Sequence, residues 1–179
     1  FLARKEGWED SETITETFVK IDQHAAAKRS LKYSPKGAYT GKGVSTIFDL
    51  RKGSENFRDG EWLGFNGDDL IVDITLDESE DLSSVYISTL DDIGSWIFPP
   101  TQLEVWAGNG PDKMRKLSEM SITAPEGPEP KQMIIHQLRF EKQGVKHLQV
   151  RAKNYGNLPE WHPGKGTPAW LFIDEIAFQ

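Results

Sequence analysis

Acidic side chains are the first residues here that could do chemistry, because a glycosidase needs two carboxyl groups facing each other across a cleft. The candidates are Asp68/Asp69, Asp73, Asp91/Asp92, Glu104 and Asp174/Glu175. The two Asp pairs stand at the ends of strand-like runs, where Asp commonly caps a turn. No run has the spacing of a catalytic array on a single strand. We therefore expect no catalytic residue in this domain.

Histidine and cysteine spacing does not indicate a transition-metal site. The histidines are His24, His136, His147 and His162, and no two are three to five residues apart, so a zinc site is unsupported. The absence of cysteine excludes disulfides and thiolate ligands. His162 differs from the others because it follows Trp161 in a Gly/Pro-rich loop, where a polar ring could meet a ligand.

The sequence is rich in aromatic residues, with six Trp, nine Phe and four Tyr. Trp106 and Trp170 lie within strand patterns and Trp62 directly precedes one, so we expect these three in the core. Trp96 and Trp161 stand in loops flanked by Gly and Pro. An indole on a stiff loop offers a flat apolar face to a sugar ring at little entropic cost. Equally, the two rings could pin their own loops to the core.

The stretch "GSENFRDGEWLGF" at 53–65 combines four charged residues, three glycines and three aromatics. A solvated loop needs no aromatics, and a strand would not tolerate this glycine spacing. A ligand site, a metal site and a long loop capping the core are all compatible with it. Arg58 in this stretch could reach a ligand hydroxyl or carboxylate with its forked donors.

Composition limits the classes of partner. The chain of 179 residues fits one domain of ordinary size, and its net charge of −7 with scattered basic residues argues against nucleic-acid binding. No run approaches the ~18 apolar residues of a membrane span, so we expect no membrane insertion. Residues 1–13 are polar and acidic and are interpreted as a linker or the end of a preceding domain, and residues 14–179 as the folded domain.

The apolar residues repeat with a period of two, which is typical of strands. Such runs occupy residues 14–21, 44–50, 69–76, 82–90, 101–108, 131–140, 144–153 and 169–178. A short helix is expected only at 22–30. Because turn clusters rather than helical crossovers separate the runs, the sequence predicts an all-β antiparallel β-sandwich or jelly roll.

Three long stretches together resemble a known family. They are "FDLRKGSENFRDGEWLGFNGDDLIVDITL", "STLDDIGSWIFPPTQLEVWAG" and "AKNYGNLPEWHPGKGTPAWLFIDEIAF". From about Thr17 to Phe178 the chain resembles the discoidin, or coagulation factor V/VIII type C, domains of the galactose-binding-like superfamily, which include family 32 carbohydrate-binding modules. It is most similar to the versions appended to Bacteroides-type chitobiases, which are β-hexosaminidases. The resemblance implies a discoidin-like jelly roll.

The resemblance also implies one structural calcium ion. Its ligands would be the side chains of Asp49, Ser54 and Glu175 and the carbonyl groups of Thr46 and Asp174. Asp49 and Ser54 are five apart in "DLRKGS", as in the family's loop, and calcium favours such a mixture of oxygen ligands. The sequence departs from the family at Leu50, where glycine is usual, and Leu would be strained there if φ is positive.

The resemblance further implies a non-catalytic, extracytoplasmic module that binds carbohydrate and keeps a covalently attached glycosidase on its glycan. The carbohydrate-binding residues would be Trp96, Asn154, Tyr155, Trp161 and His162, with Arg58 in an insertion that is longer than the family's usual connection. A protein-adhesion or domain-packing module is the alternative, and an enzyme is the third possibility.

Overall fold

The computed structural model describes residues 2–11, 26–110 and 112–179, and within them the chain is built from β-strands. The strands are β1 Ala26–Leu31, β2 Leu63–Asn66, β3 Leu70–Asp91, β4 Gln102–Gly108, β5 Met114–Ser121, β6 Gln132–Lys153 and β7 Trp170–Phe178. Two short 3-10 helices lie at Gly43–Phe48 and Ile93–Ser95. No helix in these ranges is long and apolar enough to cross a membrane.

All strand pairs are antiparallel, in the order β2-β7-β3-β6-β4-β5, with β1 pairing with β3 outside this path. The two longest strands, β3 and β6, have register shifts between Thr75 and Glu80 and between Leu82 and Ser84. Such irregularities bend a ladder, so one long hairpin can serve both layers of a sandwich. The predicted all-β, discoidin-like jelly roll is confirmed.

The core forms where the alternating strands turn their apolar residues inwards. In β4, Leu103, Val105 and Ala107 are buried while the residues between them are partly exposed. They pack in one cluster with residues of β3, β6 and β7. Trp62 is 1% exposed, as predicted. The prediction that Trp106 lies in the core is wrong. This residue is half-buried on the outer face of β4, and the Arg151 guanidinium lies 4.5 Å from its ring.

Several predicted elements differ from the structure. The runs at 69–76 and 82–90 join into β3, and those at 131–140 and 144–153 join into β6, because the polar segments between them stay within the β3–β6 ladder. The predicted helix at 22–30 is wrong over residues 26–30, which belong to β1. Residues 22–25 and the predicted strand at 14–21 lie outside the described residues.

The predicted strand at 44–50 is also wrong, since Gly43–Phe48 is a 3-10 helix. Gly43 enters it with φ of 66°, and the Thr46 hydroxyl accepts a 2.7 Å hydrogen bond from the backbone N–H of Lys42. These local turns divert the chain from an extended path. The short β2 and the largely polar β5 were not predicted, because neither has a run of alternating apolar residues.

Candidate functional site

An aromatic groove of about 280 Å³ opens at one end of the sandwich. Its lining combines residues 94–97 with the side chains of Tyr39, Phe57, Arg58, Trp170 and Phe172. These residues come from four separate parts of the chain, so the groove exists only in the folded domain. We call it the aromatic groove below.

Tyr39 holds the floor of the aromatic groove together. Its ring makes edge contacts with Phe57, Trp170 and Phe172 at centroid distances of 5.7, 5.3 and 4.8 Å. Phe172 is also 5.5 Å from Phe57 and is buried. Edge-to-face contacts of this kind stabilise aromatic clusters beyond the area they bury. The floor is therefore rigid before any ligand arrives.

Asp59 orders the loop that carries Phe57 and Arg58. One carboxylate oxygen of Asp59 accepts hydrogen bonds from the Ser54 N–H and hydroxyl at 2.8 and 2.7 Å, and the other accepts from the Glu61 N–H at 2.9 Å. Burial raises the pKa of Asp59, but these donors outweigh it and lower the pKa below its usual value. The turn thus depends on an ionised carboxylate.

Lys131 fastens the same loop to the sheet. Its ammonium group donates to the carbonyl oxygen of Glu55 at 3.2 Å and pairs with Asp92 at 2.8 Å. It also lies 5.7 Å from the centroid of the Phe57 ring. The position of Phe57 is therefore set from outside the loop as well as from inside.

The loop needs glycine at position 53 because the Trp62 indole lies directly against the backbone there. A Cβ at Gly53 would lie 2.4 Å from the Trp62 indole nitrogen, so only glycine allows the two to approach. The indole N–H of Trp62 donates to the carbonyl oxygen of Ser54 at 3.0 Å, and the N–H of Gly53 donates to Asp174 at 2.8 Å. The loop is thus anchored both to the core and to β7.

Trp96 forms one wall of the aromatic groove and is 39% exposed. Its backbone is left-handed, with φ of 64°, and its carbonyl oxygen accepts a 2.9 Å hydrogen bond from the Trp170 N–H. The indole makes an edge contact with the His162 ring at 5.1 Å. Backbone and ring contacts together hold one face of the indole open.

Two of the predicted sugar-binding residues, Asn154 and His162, are buried and use their polar groups inside the protein. The Asn154 amide is buried and donates to the carbonyl oxygens of Phe65, Asp68 and Ala169, while its own oxygen accepts from the Gly156 N–H. This residue therefore positions the loop and does not face a ligand.

His162 is 4% exposed and is likewise occupied. Its Nε2 lies 2.9 Å from the Ile93 carbonyl oxygen, and its Nδ1 accepts a hydrogen bond from the Gly164 N–H. This arrangement makes Nε2 the protonated nitrogen. His162 therefore supports Trp96 and the loop around it instead of contacting a ligand.

Trp161 and Tyr155 form a second aromatic group beside the aromatic groove, which we call the loop cluster. Phe98 joins them, with ring centroids 6.0 Å from Trp161 and 4.7 Å from Tyr155. Trp161 is 37% exposed and contacts His162, as Trp96 does. Of the six predicted residues, Trp96 and Arg58 line the aromatic groove, and Tyr155 and Trp161 belong to the loop cluster.

Tyr39, Phe57 and Trp170 are groove residues that sequence reasoning missed. Trp170 was assigned to the core because it begins a strand pattern, yet it is half-buried and faces the groove. Tyr39 and Phe57 stand in Gly-rich loops, as Trp96 and Trp161 do. The same criterion of a loop aromatic beside glycine would have selected both.

The implied calcium ligands lie beside unpaired buried oxygen atoms. Both carboxylate oxygens of Glu175 and Oδ1 of Asp174 are buried without a hydrogen-bond partner among the described residues. Burial, with the charges of Asp174 and Asp49, raises the pKa of Glu175 to about 8, although the nearby Leu50 N–H opposes this. A buried unpaired carboxylate is costly unless it is protonated or coordinates a cation.

The implied calcium loop contains a residue with left-handed backbone conformation. Leu50 has φ of 61°, so the condition under which a Leu at this position is strained is met. The other implied side-chain ligands have partners, because Asp49 pairs with Lys42 at 3.2 Å and the exposed Ser54 bonds Asp59. No group of three or more acidic or histidine side chains in the described part of the chain is arranged to hold a metal ion. The unpaired carboxylate oxygens of Glu175 are of the type that calcium binds, whereas the Ser54 hydroxyl as placed is bonded to Asp59.

Comparison with solved structures identifies the fold. Over 88% of its length the chain matches 98% of a chain described as GH31 CBM32-2 bound to GalNAc, with a TM-score of 0.55 and 10% identity. The chain has the fold of family 32 carbohydrate-binding modules. No protein-family model and no curated protein matches the sequence.

Two further structures with this fold come from polysaccharide-degrading systems. One is the CBM32 of AlyQ in complex with 4,5-unsaturated mannuronic acid, matched over 88% of this chain and 98% of that one with a TM-score of 0.52 and 11% identity. The other is chitosan-binding module 1 of a chitosanase/glucanase from Paenibacillus sp. IK-5. It is matched over 85% of this chain and 93% of that one, with a TM-score of 0.52 and 15% identity. The chain spans 32% of the length of truncated AlyQ, which has CBM32 and alginate lyase domains.

Proposed function

We propose that this chain is a non-catalytic carbohydrate-binding module and that the aromatic groove is its ligand site. The observation that carries the proposal is the combination of a rigid aromatic floor, a half-exposed Trp96 and the forked donors of Arg58 in one groove. The fold supports it, since proteins with the same fold are described as binding GalNAc, mannuronic acid or chitosan.

Binding would use stacking and hydrogen bonding together. The Trp96 indole would cover the C–H face of a pyranose ring, while Arg58 would donate to an oxygen at the ring's edge. Because Tyr39 and Phe172 already hold the floor, few side chains lose freedom on binding. Loss of the Trp96 ring would weaken binding by ~1–3 kcal/mol, or roughly 5- to 150-fold.

A glycan array probed with the wild-type chain, Trp96→Ala and Trp8→Ala tests this proposal. Trp8 is a matched control, because it is 71% exposed and lies outside the groove. We expect the wild type and Trp8→Ala to bind the same glycans and Trp96→Ala to lose them. Retention by Trp96→Ala together with loss in Trp161→Ala would move the site to the loop cluster.

The module would serve an attached glycosidase of the chitobiase type outside the cytoplasm. Holding such an enzyme on its glycan raises its effective concentration there without any new catalytic contact. The resemblance to the modules of β-hexosaminidases is the support for this part of the proposal. Its test is a comparison of chitin hydrolysis by a hexosaminidase with and without the module attached, where a gain on insoluble but not on soluble substrate is expected.

Calcium would stabilise the module at the base of the loop that carries Phe57 and Arg58. Glu175 and the carbonyl group of Asp174 would hold the ion with Asp49 and the carbonyl of Thr46, and Ser54 would join them only by leaving Asp59. An ion there would supply positive charge to the Glu175 carboxylate, whose oxygens have no hydrogen-bond partner among the described residues. Since Gly53 is hydrogen-bonded to Asp174, the ion would also brace the loop that carries Arg58.

A protein-adhesion or domain-packing role is favoured by a different surface. Leu50 and Ile135 are 44% and 37% exposed, and both line a pocket of about 150 Å³ beside Glu175. Exposed apolar residues around a pocket are typical of packing surfaces. An array without any bound glycan, together with self-association that Ile135→Ser weakens in sedimentation experiments, would favour this role.

A further inference from the structure

The aromatic groove has an unusual charge for this protein. The whole sequence has 28 acidic and 21 basic residues. Yet among the described residues that line the groove, the one charged side chain is that of Arg58, and no carboxylate is present. The groove is therefore a local cationic site on an acidic chain.

Arg58 is held in place, and no carboxylate among the described residues pairs with it. Its guanidinium carbon lies 4.8 Å from the centroid of the Phe57 ring, and its backbone N–H donates to the Asn56 side chain at 3.3 Å. Within the described parts of the chain no carboxylate lies within 4.0 Å of the guanidinium. Stacking on Phe57 leaves the N–H edge of the fork free to donate.

Lys131, which also lies beside the Phe57 ring, is already neutralised. Lys131 pairs with Asp92 at 2.8 Å and donates to the carbonyl oxygen of Glu55. It therefore anchors the loop, and Arg58 is left to meet a ligand. Removal of Arg58 would take the free positive charge from the groove without breaking an ion pair within the described structure.

The chemistry of the groove distinguishes acidic from neutral sugars. A hydroxyl group both donates and accepts, so it is held best by a site that offers carboxylate acceptors as well as donors. This groove offers strong donors and no carboxylate. A carboxylate accepts two parallel hydrogen bonds from one guanidinium, and such charge-assisted pairs are about twice as strong as neutral ones.

We propose that the aromatic groove prefers a pyranose that carries a carboxylate, such as a uronic acid, with its ring on Trp96 and its carboxylate on Arg58. This inference rests on the proposed carbohydrate-binding function and adds the chemical class of the ligand. The long insertion at 55–61 would then be the element that converts a neutral-sugar groove into an acidic-sugar groove.

The test is a calorimetric titration with two matched pairs of ligands at low salt. The pairs are the methyl glycosides of galacturonic acid and galactose, and those of glucuronic acid and glucose. We expect at least one acid to bind on the order of tenfold more tightly than its neutral partner, and we expect added salt to reduce the difference.

Two variants make the test specific for Arg58. Arg58→Met should abolish the preference for the acid, whereas Arg139→Met should keep it. Arg139 is a matched control, because it is exposed on β6 outside the groove and is bonded to Gln137. Melting temperatures of both variants should match that of the wild type, since neither side chain holds the core.

Each outcome separates this inference from the function on which it rests. Equal or weaker binding of both acids, or a preference that survives Arg58→Met, overturns the inference. Binding of a neutral glycan through Trp96 alone would overturn it while leaving the carbohydrate-binding function intact. Failure of every glycan on the array, acidic ones included, would overturn both.

Discussion

The indole of Trp96 packs against the α-carbon of Gly164, so closely that a Cβ on Gly164 would lie 2.0 Å from the indole nitrogen. Gly164 also donates its N–H to Nδ1 of His162, whose ring meets the edge of the same indole at 5.1 Å. Gly164 and His162 therefore set the angle at which Trp96 faces the aromatic groove.

Gly164→Ala is expected to weaken glycan binding several-fold without any contact to the ligand. The added methyl group must push the Trp96 ring away, and a displacement of about 1 Å is enough to disturb stacking. Calorimetry on the variant measures the effect, and Gly127→Ala is the control because its Cβ would meet nothing within 4 Å. Unchanged affinity in Gly164→Ala would show that the position of the indole does not matter.

Glu175→Gln is expected to remove the effect of calcium on stability. In the wild type, saturating calcium should raise the free energy of unfolding by about 3 kcal/mol at a hundredfold excess over Kd, and EDTA should reverse the gain. Glutamine resembles the protonated carboxyl group, so the metal-free variant should be no less stable than the metal-free wild type.

Thermal unfolding with calcium and with EDTA checks this prediction, with Glu126→Gln as an exposed control. If EDTA leaves the melting temperature of the wild type unchanged, the Glu175 carboxylate and the Asp174 carbonyl group do not hold calcium.

Asp91 is expected to make stability depend on pH. Burial, with the charge of Glu129, raises the pKa of Asp91 from 3.8 to about 7, and its Oδ1 has no partner among the described residues. The folded state therefore holds a proton that the unfolded state loses above about pH 4. The contribution of Asp91 to the free energy of unfolding is therefore largest below about pH 4. It decreases as the pH rises to about 7 and stays constant above that pH.

Asp91→Asn is expected to remove this decline and to stabilise the protein at pH 7.5. Three pKa units correspond to about 4 kcal/mol, which is an upper limit for the gain. Urea unfolding at pH 4.5, 6 and 7.5 gives the slope, and Asp77→Asn serves as an exposed control. A slope that is the same in the wild type and Asp91→Asn would contradict the assignment.

Asn154→Ala is expected to destabilise the fold by about 2–4 kcal/mol, since it leaves the carbonyl groups of Phe65, Asp68 and Ala169 without a shared donor. Urea unfolding measures this loss, and the exposed Asn157→Ala should be neutral. Weaker glycan binding by a variant of unchanged stability would instead support the original prediction that Asn154 contacts the ligand.

The sequence was most informative where the period of two was unbroken, as in β4, because alternating burial leaves a direct trace in residue type. It was least informative at 44–50, where the apolar residues of a 3-10 helix imitate a strand. The individual site residues depended on tertiary contacts. In the sequence, Asn154 and His162 are polar residues in a loop, as ligand contacts often are. In the fold they bond to residues that are distant in the sequence, so the sequence alone could not show that they are buried.

The most direct test of the central claim is the shift of the tryptophan indole N–H signals in ¹H–¹⁵N NMR spectra during titration with the best glycan from the array. The chain has six such signals, and substitution of each Trp assigns them. We expect the signals of Trp96 and Trp170 to shift with the same Kd, and those of Trp8 and Trp106 to stay fixed. Saturable shifts at Trp161 with none at Trp96 and Trp170 would contradict the assignment of the aromatic groove as the carbohydrate site.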